Sequence, residues 1–299
     1  MPLTRRRFIS LASAACLLPA AQARAYRWQG TALGAKAQII LDHPEAPHIV
    51  ERARAEISRL EDIFSLYRPR SELARLNTAG RLTAPSFEML DCLALARNVH
   101  HITEARFDPT VQPLWRVLAA AVTNGTAPDA AEIAAARALI GFEKLRFDSA
   151  GIRLGHGQQL TLNGIAQGYI ADRIAALLQR EGITDVLIDT GEIVALGAPA
   201  GKPGWPIGIA NEPGKRPFSG RALATSATFG TRIGAAQGHI LDPRGPAPAH
   251  PTPRQISVSA HSAGLADGLS TGLALTSGLD EARRLIADTA GVKIESYQA

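Results

Sequence analysis

The sequence predicts an α+β fold, a single domain of mixed or antiparallel sheets with flanking helices. Three observations predict it. Strand-like and helix-like segments are interspersed without the regular βαβ alternation of a parallel sheet. The 299 residues are 46% hydrophobic and 20% charged, which is ample for one large core, and no fixed-period repeat is present. The Pro-rich stretch PRGPAPAHPTP (243–253) has strand-like patterns on both sides, so it reads as a loop within one domain rather than a linker.

Taken in order, AKAQIILD (35–42) alternates into an apolar run and reads as a strand. Residues 45–64 carry Ile49, Val50, Ala53, Ile57 and Leu60 at helical spacing, and 86–102 repeat that signal. FDPTVQPLW (107–115) reads as a loop, 129–139 as a short helix, and 143–148 and 158–163 as strands. A helix over 165–181 has Ile165, Tyr169, Ile170, Ile174 and Leu177 on one stripe, and Gly182 ends it. VLIDTGEIVALG (186–197) predicts two strands about a tight turn. Further strands are expected at 205–210, 221–226, 238–242 and 254–260, and closing helices at 264–276 and 280–290.

The N-terminus is a separate unit. TRRRFIS (Thr4 to Ser10) is a twin-arginine pattern with a following aromatic and aliphatic residue. LASAACLLPAA comes next, then the small-x-small sites Ala21-Gln22-Ala23 and Ala23-Arg24-Ala25. That is the layout of an export signal. Residues 1–25 are therefore expected to be cleaved, leaving 26–299 as a periplasmic domain. The apolar stretch is too short for a resident spanning helix, so membrane contact is expected to be transient, during export. Cys16 follows a short apolar run with Ser13 in place of the usual aliphatic, which argues against a lipid anchor. The formal charge of +5 rests largely on Arg5, Arg6, Arg7 and Arg24, and the rest of the chain is close to neutral. Composition thus gives no support for nucleic-acid binding. Cleavage leaves Cys92 as the sole cysteine, which excludes an intramolecular disulfide and a cysteine-based zinc site.

Four separated stretches can carry chemistry. Asn163-Gly164-Ile165-Ala166-Gln167-Gly168 leads into a helix, and backbone N–H groups at a helix start favour an anion. The plain alternative is a tight strand-to-helix turn. In GHILDPRG, His239 can shuttle a proton near neutral pH, whereas Asp242 also fits an Asp-Pro turn. The hydroxyls of Thr225 and Ser226 end a strand, where they can bind phosphate oxygens or cap a turn. In SAGLADGLSTGLAL (262–275), Asp267 and Thr271 lie at i and i+4 on one face of an otherwise apolar helix. A buried carboxylate needs a partner. Asp267 can cap its own helix, pair with an arginine, or face a metal. Together these are the parts of a metal-assisted phosphate-transfer site. Mg²⁺ suits it, because it takes few protein oxygens and completes its shell with phosphate and water.

Seven blocks in order, SELARLN, FDPTVQPLW, NGIAQGYIADRIAALL, TGEIVALG, ALATS, GHILDPR and ADGLSTGL, resemble the ApbE family, the FAD:protein FMN transferases. The resemblance implies Mg²⁺-dependent transfer of FMN from FAD, through its phosphate, to a threonine of an acceptor protein, with release of AMP. The acceptor would be a flavoprotein, for instance a membrane-bound redox protein. It implies that Asp267 and Thr271 are side-chain metal ligands, with a backbone carbonyl from the Ala166 region completing the set. Thr225, Ser226 and His239 match positions lining the diphosphate, with Gly164 and Gln167 in the Gly-rich turn. Ser65, Tyr67 and the segment Asp108-Pro109-Thr110 match the flavin and nucleotide side. His239 or Asp242 would take the proton of the attacking hydroxyl. Alternatives are a flavin-binding protein without transfer, or an FAD pyrophosphatase giving FMN and AMP.

The sequence departs from the family pattern in three places. Gln167 stands where Lys is usual. Thr161-Leu162-Asn163-Gly164 replaces Asp-Leu-Gly-Gly, and Thr190-Gly191-Glu192 replaces Gly-Gly-Asp. Losing a lysine beside a pyrophosphate removes a point charge. The departures also fit a branch exported by the twin-arginine route and associated with nitrous oxide reductase maturation.

Export is testable first. Changing Arg5 and Arg6 to Lys should leave uncleaved precursor in the cytoplasm, read by cell fractionation. Normal periplasmic accumulation of that variant would count against the signal.

Overall fold

The computed structural model describes residues 25–299 apart from 210, 231, 234–236 and 246–252. The twin-arginine segment and most of the Pro-rich stretch therefore lie outside the described residues. The first half of the chain contains β1 (Tyr26–Ala32), β2 (Ala35–Leu41), α1 (Ala46–Phe64), α2 (Glu72–Ala79), β3 (Arg81–Thr83), α3 (Phe87–Ile102), α4 (Gln112–Thr123), α5 (Ala130–Ala138), β4 (Arg146–Phe147) and β5 (Gly151–Arg153). The second half contains α6 (Ala166–Arg180), β6 (Val186–Asp189), β7 (Ile193–Leu196), β8 (Trp205–Ile207), β9 (Arg216–Phe218), β10 (Arg221–Ala227), β11 (Arg232–Ile233), β12 (Gln237–Gly238), β13 (Gln255–Ala260), α7 (Ala263–Leu273), α8 (Leu279–Ile286) and β14 (Lys293–Gln298).

One seven-stranded sheet, ordered β1-β2-β6-β7-β10-β13-β14, organises the domain, and every neighbouring pair in it is antiparallel. Strand alternation sorts its side chains into two layers. Ile39, Ile188, Val194, Ala224 and Val258 face the helices, where Leu60 of α1, Ile170 and Ile174 of α6 and Leu269 of α7 meet them. Ile40, Leu187, Ile193, Ala195 and Leu223 face the other way, under Trp205, Ile207 and Phe218 of the β8–β9 hairpin. Cys92 is a fully buried core residue of α3, and burial pushes its thiol up, out of the reactive range. No described helix is long and apolar enough to cross a membrane.

Long periodic segments and the strands expected at 186–197, 221–226 and 254–260 match their predicted elements closely, and several other short ones differ. The expected strand at 158–163 is an irregular run. Its hydrogen bonds go to a side chain and a loop instead of a ladder. Asn77 of α2 accepts from Leu160 N at 2.7 Å and donates to Leu160 O at 2.8 Å, and Thr161 N donates to Pro109 O at 2.8 Å. The expected strand at 143–148 is shortened to β4 after a 3-10 turn at Phe142–Lys144. Residues 240–242, expected as strand, follow β12 without regular structure. The loop expected at 107–115 turns helical halfway, because Pro113 can occupy the first turn of α4.

α6 and α7 cross antiparallel at close range. A Cβ on Gly168 would sit 2.2 Å from the Ala263 carbonyl oxygen, so a side chain there meets backbone. Gly168→Ala should lower unfolding free energy by about 3 kcal/mol, the upper range for overpacking a fixed contact. Gly278→Ala, where no atom lies within 4 Å of the added Cβ, serves as the control. Equal urea midpoints for the two variants would show that the crossing is not tight.

Candidate active site

The site is built from four chain segments that arrive at one end of the sheet. They are the Gly-rich start of α6, one face of α7, the turn between β6 and β7, and the end of β10. Asp172 and Asp267 fix the two helices against each other. Asp172 of α6 accepts from Ser262 Oγ at 2.7 Å, Ala263 N at 2.7 Å and Gly264 N at 2.9 Å, at the start of α7. Asp267 of α7 accepts from Gly168 N at 3.1 Å, in the first turn of α6. Each helix thus supplies a carboxylate to the positive end of the other.

Asp267 is 3% exposed. Ser262 is the N-cap of α7, so Asp267 does not cap its own helix. Among the described residues no basic side chain forms an ion pair with it. Burial pushes its pKa up to about 7, with Gly168 N–H opposing the shift and Asp172 adding to it. Thr271, one turn later and half-buried, places its hydroxyl 3.4 Å from the Gly164 carbonyl oxygen and 3.4 Å from Ser226 Oγ. Ala166 opens α6 and is buried.

These atoms fit a divalent cation in their chemistry. The face offers one buried carboxylate without a cationic partner, one hydroxyl and the backbone carbonyls of a Gly-rich turn. Among the described residues no group of three or more His, Cys, Asp or Glu side chains gathers as a metal cluster. A sparse oxygen set is what Mg²⁺ takes when substrate phosphate completes its shell.

Two further carboxylates stand behind Asp267. Glu192, buried, accepts from Thr225 N at 3.2 Å. Burial, followed by the charges of Asp267 and Asp189, holds its carboxyl well above the usual range. Asp189 accepts from Gly191 N at 3.0 Å and is pushed up to about 6 by burial. Gln167 lies over this turn. Its carbonyl accepts from Thr190 Oγ1 at 3.0 Å, and its carboxamide is 3.0 Å from where a Gly191 Cβ would be. Gly191, at φ 104°, has the backbone that only glycine adopts easily.

The remaining expected residues divide into cleft and scaffold. Ser226 faces the helices, with its hydroxyl 2.8 Å from Ser270 Oγ. Thr225, its neighbour on the strand, points to the opposite face and pairs with Ser257 Oγ at 2.8 Å. The two hydroxyls therefore do not line one surface. Three N–H groups at the helix start are already bonded. Those of Ile165 and Ala166 donate to Leu162 O and that of Gly168 to Asp267, which is the tight-turn arrangement.

Asp108 accepts from Thr110 N, Thr110 Oγ1 and Phe142 N at 2.7–3.1 Å, and Thr110 Oγ1 accepts from Gly141 N. With Pro109 O receiving Thr161 N, this segment is a brace behind the Gly-rich turn. Ser65 accepts from Tyr67 N and Arg68 N, and Tyr67 is 57% exposed. The Phe64 ring lies edge-on to Tyr169 at 5.4 Å, which sets the Ser65–Tyr67 turn beside the start of α6.

His239 follows β12 directly and is half-buried. A Cβ on the adjacent Gly238 would lie 2.3 Å from Thr228 O, so His239 comes in beside the end of β10. Asp242 is buried, and its two oxygens accept from Arg244 N, Nε and Nη2 at 2.7–3.0 Å. That is the geometry of the Asp-Pro turn.

Asp172, Glu192 and Ser270 were not picked out as site residues from sequence. Glu192 had a usable signal, since period-two alternation with Val194 puts it on the helix side. Asp172 sits within an amphipathic helix and looks there like an ordinary charged position.

Comparison with known proteins agrees with this architecture. A profile of the ApbE family matches residues 30–294. An FAD:protein FMN transferase of Klebsiella pneumoniae is 28% identical over 246 residues, covering 74% of this chain and 73% of that one. One from Vibrio cholerae is 29% identical over 245 residues, covering 74% and 72%. The apo crystal structure of Pseudomonas stutzeri flavinyl transferase ApbE superposes with a TM-score of 0.76 at 25% identity, covering 92% of this chain and 95% of that one.

The raised carboxylates make a pH prediction. Between about pH 4 and pH 7 the folded state keeps protons on Asp267 and Asp189 that the unfolded state releases. Unfolding free energy of the metal-free protein should therefore fall as pH rises through that window. Asp267→Asn keeps an acceptor for Gly168 N and removes the charge, so it should melt above the wild type at pH 8. Adding Mg²⁺ should raise the melting temperature of the wild type and not of the variant. A variant that melts lower and still responds to Mg²⁺ would show that Asp267 is structural.

Proposed function

The chain belongs to the ApbE family, and from that premise we propose that it is an FAD:protein FMN transferase that moves the FMN moiety of FAD onto a threonine hydroxyl of an acceptor protein. The observation that carries the reading is the Asp267–Thr271 face, a buried carboxylate and a hydroxyl set against the Gly-rich start of α6, with no cationic side chain among the described residues paired to that carboxylate.

The acceptor hydroxyl oxygen attacks the FMN phosphorus and forms the new P–O bond. The diphosphate P–O bond breaks, and its electron pair leaves on AMP. We assign the hydroxyl proton to His239 rather than Asp242, because the Asp242 carboxylate is already held by Arg244. Asp267, Thr271 and a carbonyl of the 164–166 turn would hold Mg²⁺, which when bound supplies the positive charge that a diphosphate and a leaving AMP need. The Gln167 carboxamide offers N–H donors at the same edge. The remaining work is positioning, which is the larger share of catalysis in phosphoryl transfer.

The export pattern of residues 1–25 supports a periplasmic site of action. The same pattern, with the Gln167 and Asn163 departures, supports placement in the branch associated with nitrous oxide reductase maturation. A membrane-bound redox flavoprotein is the acceptor class that suits this location.

The neutral Gln167 and the committed N–H groups of the α6 start favour one competing reading, a flavin binder that does not transfer. Incubation with FAD, Mg²⁺ and a candidate acceptor separates the possibilities. Flavin fluorescence comigrating with denatured acceptor is the expected result, and Asp267→Ala should reduce it by at least about a hundredfold, as loss of a charge-stabilising group does. Free FMN and AMP with unlabelled acceptor would mean hydrolysis, and unchanged FAD would mean binding alone.

A further inference from the structure

Ser270 lies between Asp267 and Thr271 on α7, and neither the export signal nor the metal face accounts for it. It is fully buried, and its hydroxyl has two oxygen neighbours. One is the Asp267 carbonyl oxygen at 3.0 Å, the other Ser226 Oγ at 2.8 Å. A carbonyl oxygen only accepts, so the single proton of Ser270 goes to Asp267. The proton in the shorter contact must then come from Ser226. The reverse assignment would leave the Ser270 and Asp267 oxygens facing each other at 3.0 Å in a buried place with no proton between them, which costs free energy.

Ser226 is thus a donor toward Ser270 and keeps its lone pairs for another donor. Its second neighbour on α7 is Thr271 Oγ1, at the longer distance of 3.4 Å and at the half-buried edge of the face. Lone pairs cannot bind a phosphate oxygen, which is itself an acceptor. They can receive a hydroxyl proton.

Resting on the transferase reading above, we propose that Ser270 is a positioning residue that fixes Ser226 as a hydrogen-bond acceptor for a substrate hydroxyl. The hydroxyl belongs to FAD or to the acceptor protein. The chain of bonds runs from that hydroxyl to Ser226, from Ser226 to Ser270, and from Ser270 to the Asp267 carbonyl. Directional order along such a chain orients the hydroxyl at its head.

The test uses the mature chain as wild type, Ser270→Ala, Ser226→Ala and the double variant. The readouts are FAD titration, transfer kinetics at varied acceptor concentration, and thermal melting. Each single variant should lose about tenfold, the size of one neutral hydrogen bond. The double variant should lose no more than either single, because both remove the same chain. A loss in FAD affinity assigns the hydroxyl to FAD. Unchanged FAD affinity with a raised acceptor KM or lowered kcat assigns it to the acceptor. Full activity in Ser270→Ala, a lowered melting temperature as the only change, or additive losses would each overturn the role of Ser270 and leave the transferase reading intact. No flavin transfer by the wild type would withdraw both.

Discussion

The crossing of α6 and α7 is the contact on which the rest of the site depends. α6 has no side-chain cap of its own, because its N-cap position is Ile165. Asp267 supplies the missing acceptor from the neighbouring helix, and Asp172 returns the arrangement at the start of α7. Exchange of carboxylates works only if the backbones approach closely, which Gly168 allows. A single geometric condition therefore sets helix termination, helix packing and the placement of Asp267. It also explains how a carboxylate sits in an otherwise apolar helix. One oxygen is anchored by a backbone N–H, and the group as a whole stays short of positive charge.

That shortage extends around the turn between β6 and β7. Asp189, Glu192 and Asp267 are each shifted upward mainly by burial, and the charges of Asp189 and Asp267 add to the shift of Glu192. A lysine at position 167 would stand beside them, since the Gln167 carboxamide already lies over Gly191. With glutamine there, neutralisation falls to protons or to a bound cation. The substitution changes the charge balance of the site and leaves its architecture alone, because the contact that Gln167 makes with Thr190 uses its backbone carbonyl.

Long helices and the central hairpin were legible from sequence because their signals are redundant. Each apolar position in α1 or α6 repeats the same periodicity, so boundaries fall within a residue or two. The pairing of Asp267 and Thr271 on one face of α7 was legible for a different reason: with Ser270 they are the polar interruptions within an otherwise apolar run. The irregular 158–163 run was not legible, since its alternating apolar residues look like a strand until Asn77 and Pro109 take its hydrogen bonds. A partner such as Asn77, 83 residues away in sequence, leaves no local trace. The exchange between Asp172 and α7 is equally non-local, as is the Ser226–Ser270 pair.

Strand alternation adds a constraint on how sequence blocks translate into contacts. Thr225 and Ser226 are adjacent in the ALATS block, yet the sheet sends one hydroxyl to Ser257 and the other to the helices. The FDPT block is similar in kind, with Asp108 and Thr110 buried in bonds to each other and to the 141–142 turn. Together with Asn77 of SELARLN, that block clamps the chain leading into Gly164. A block can thus support the site through bonds within the chain, because the Gly-rich turn has no ladder to hold it and needs outside support. On this view the site has two parts. One is the sparse oxygen face of α7. The other is the set of braces that keep the start of α6 in register with it, and a change in either displaces the same few atoms.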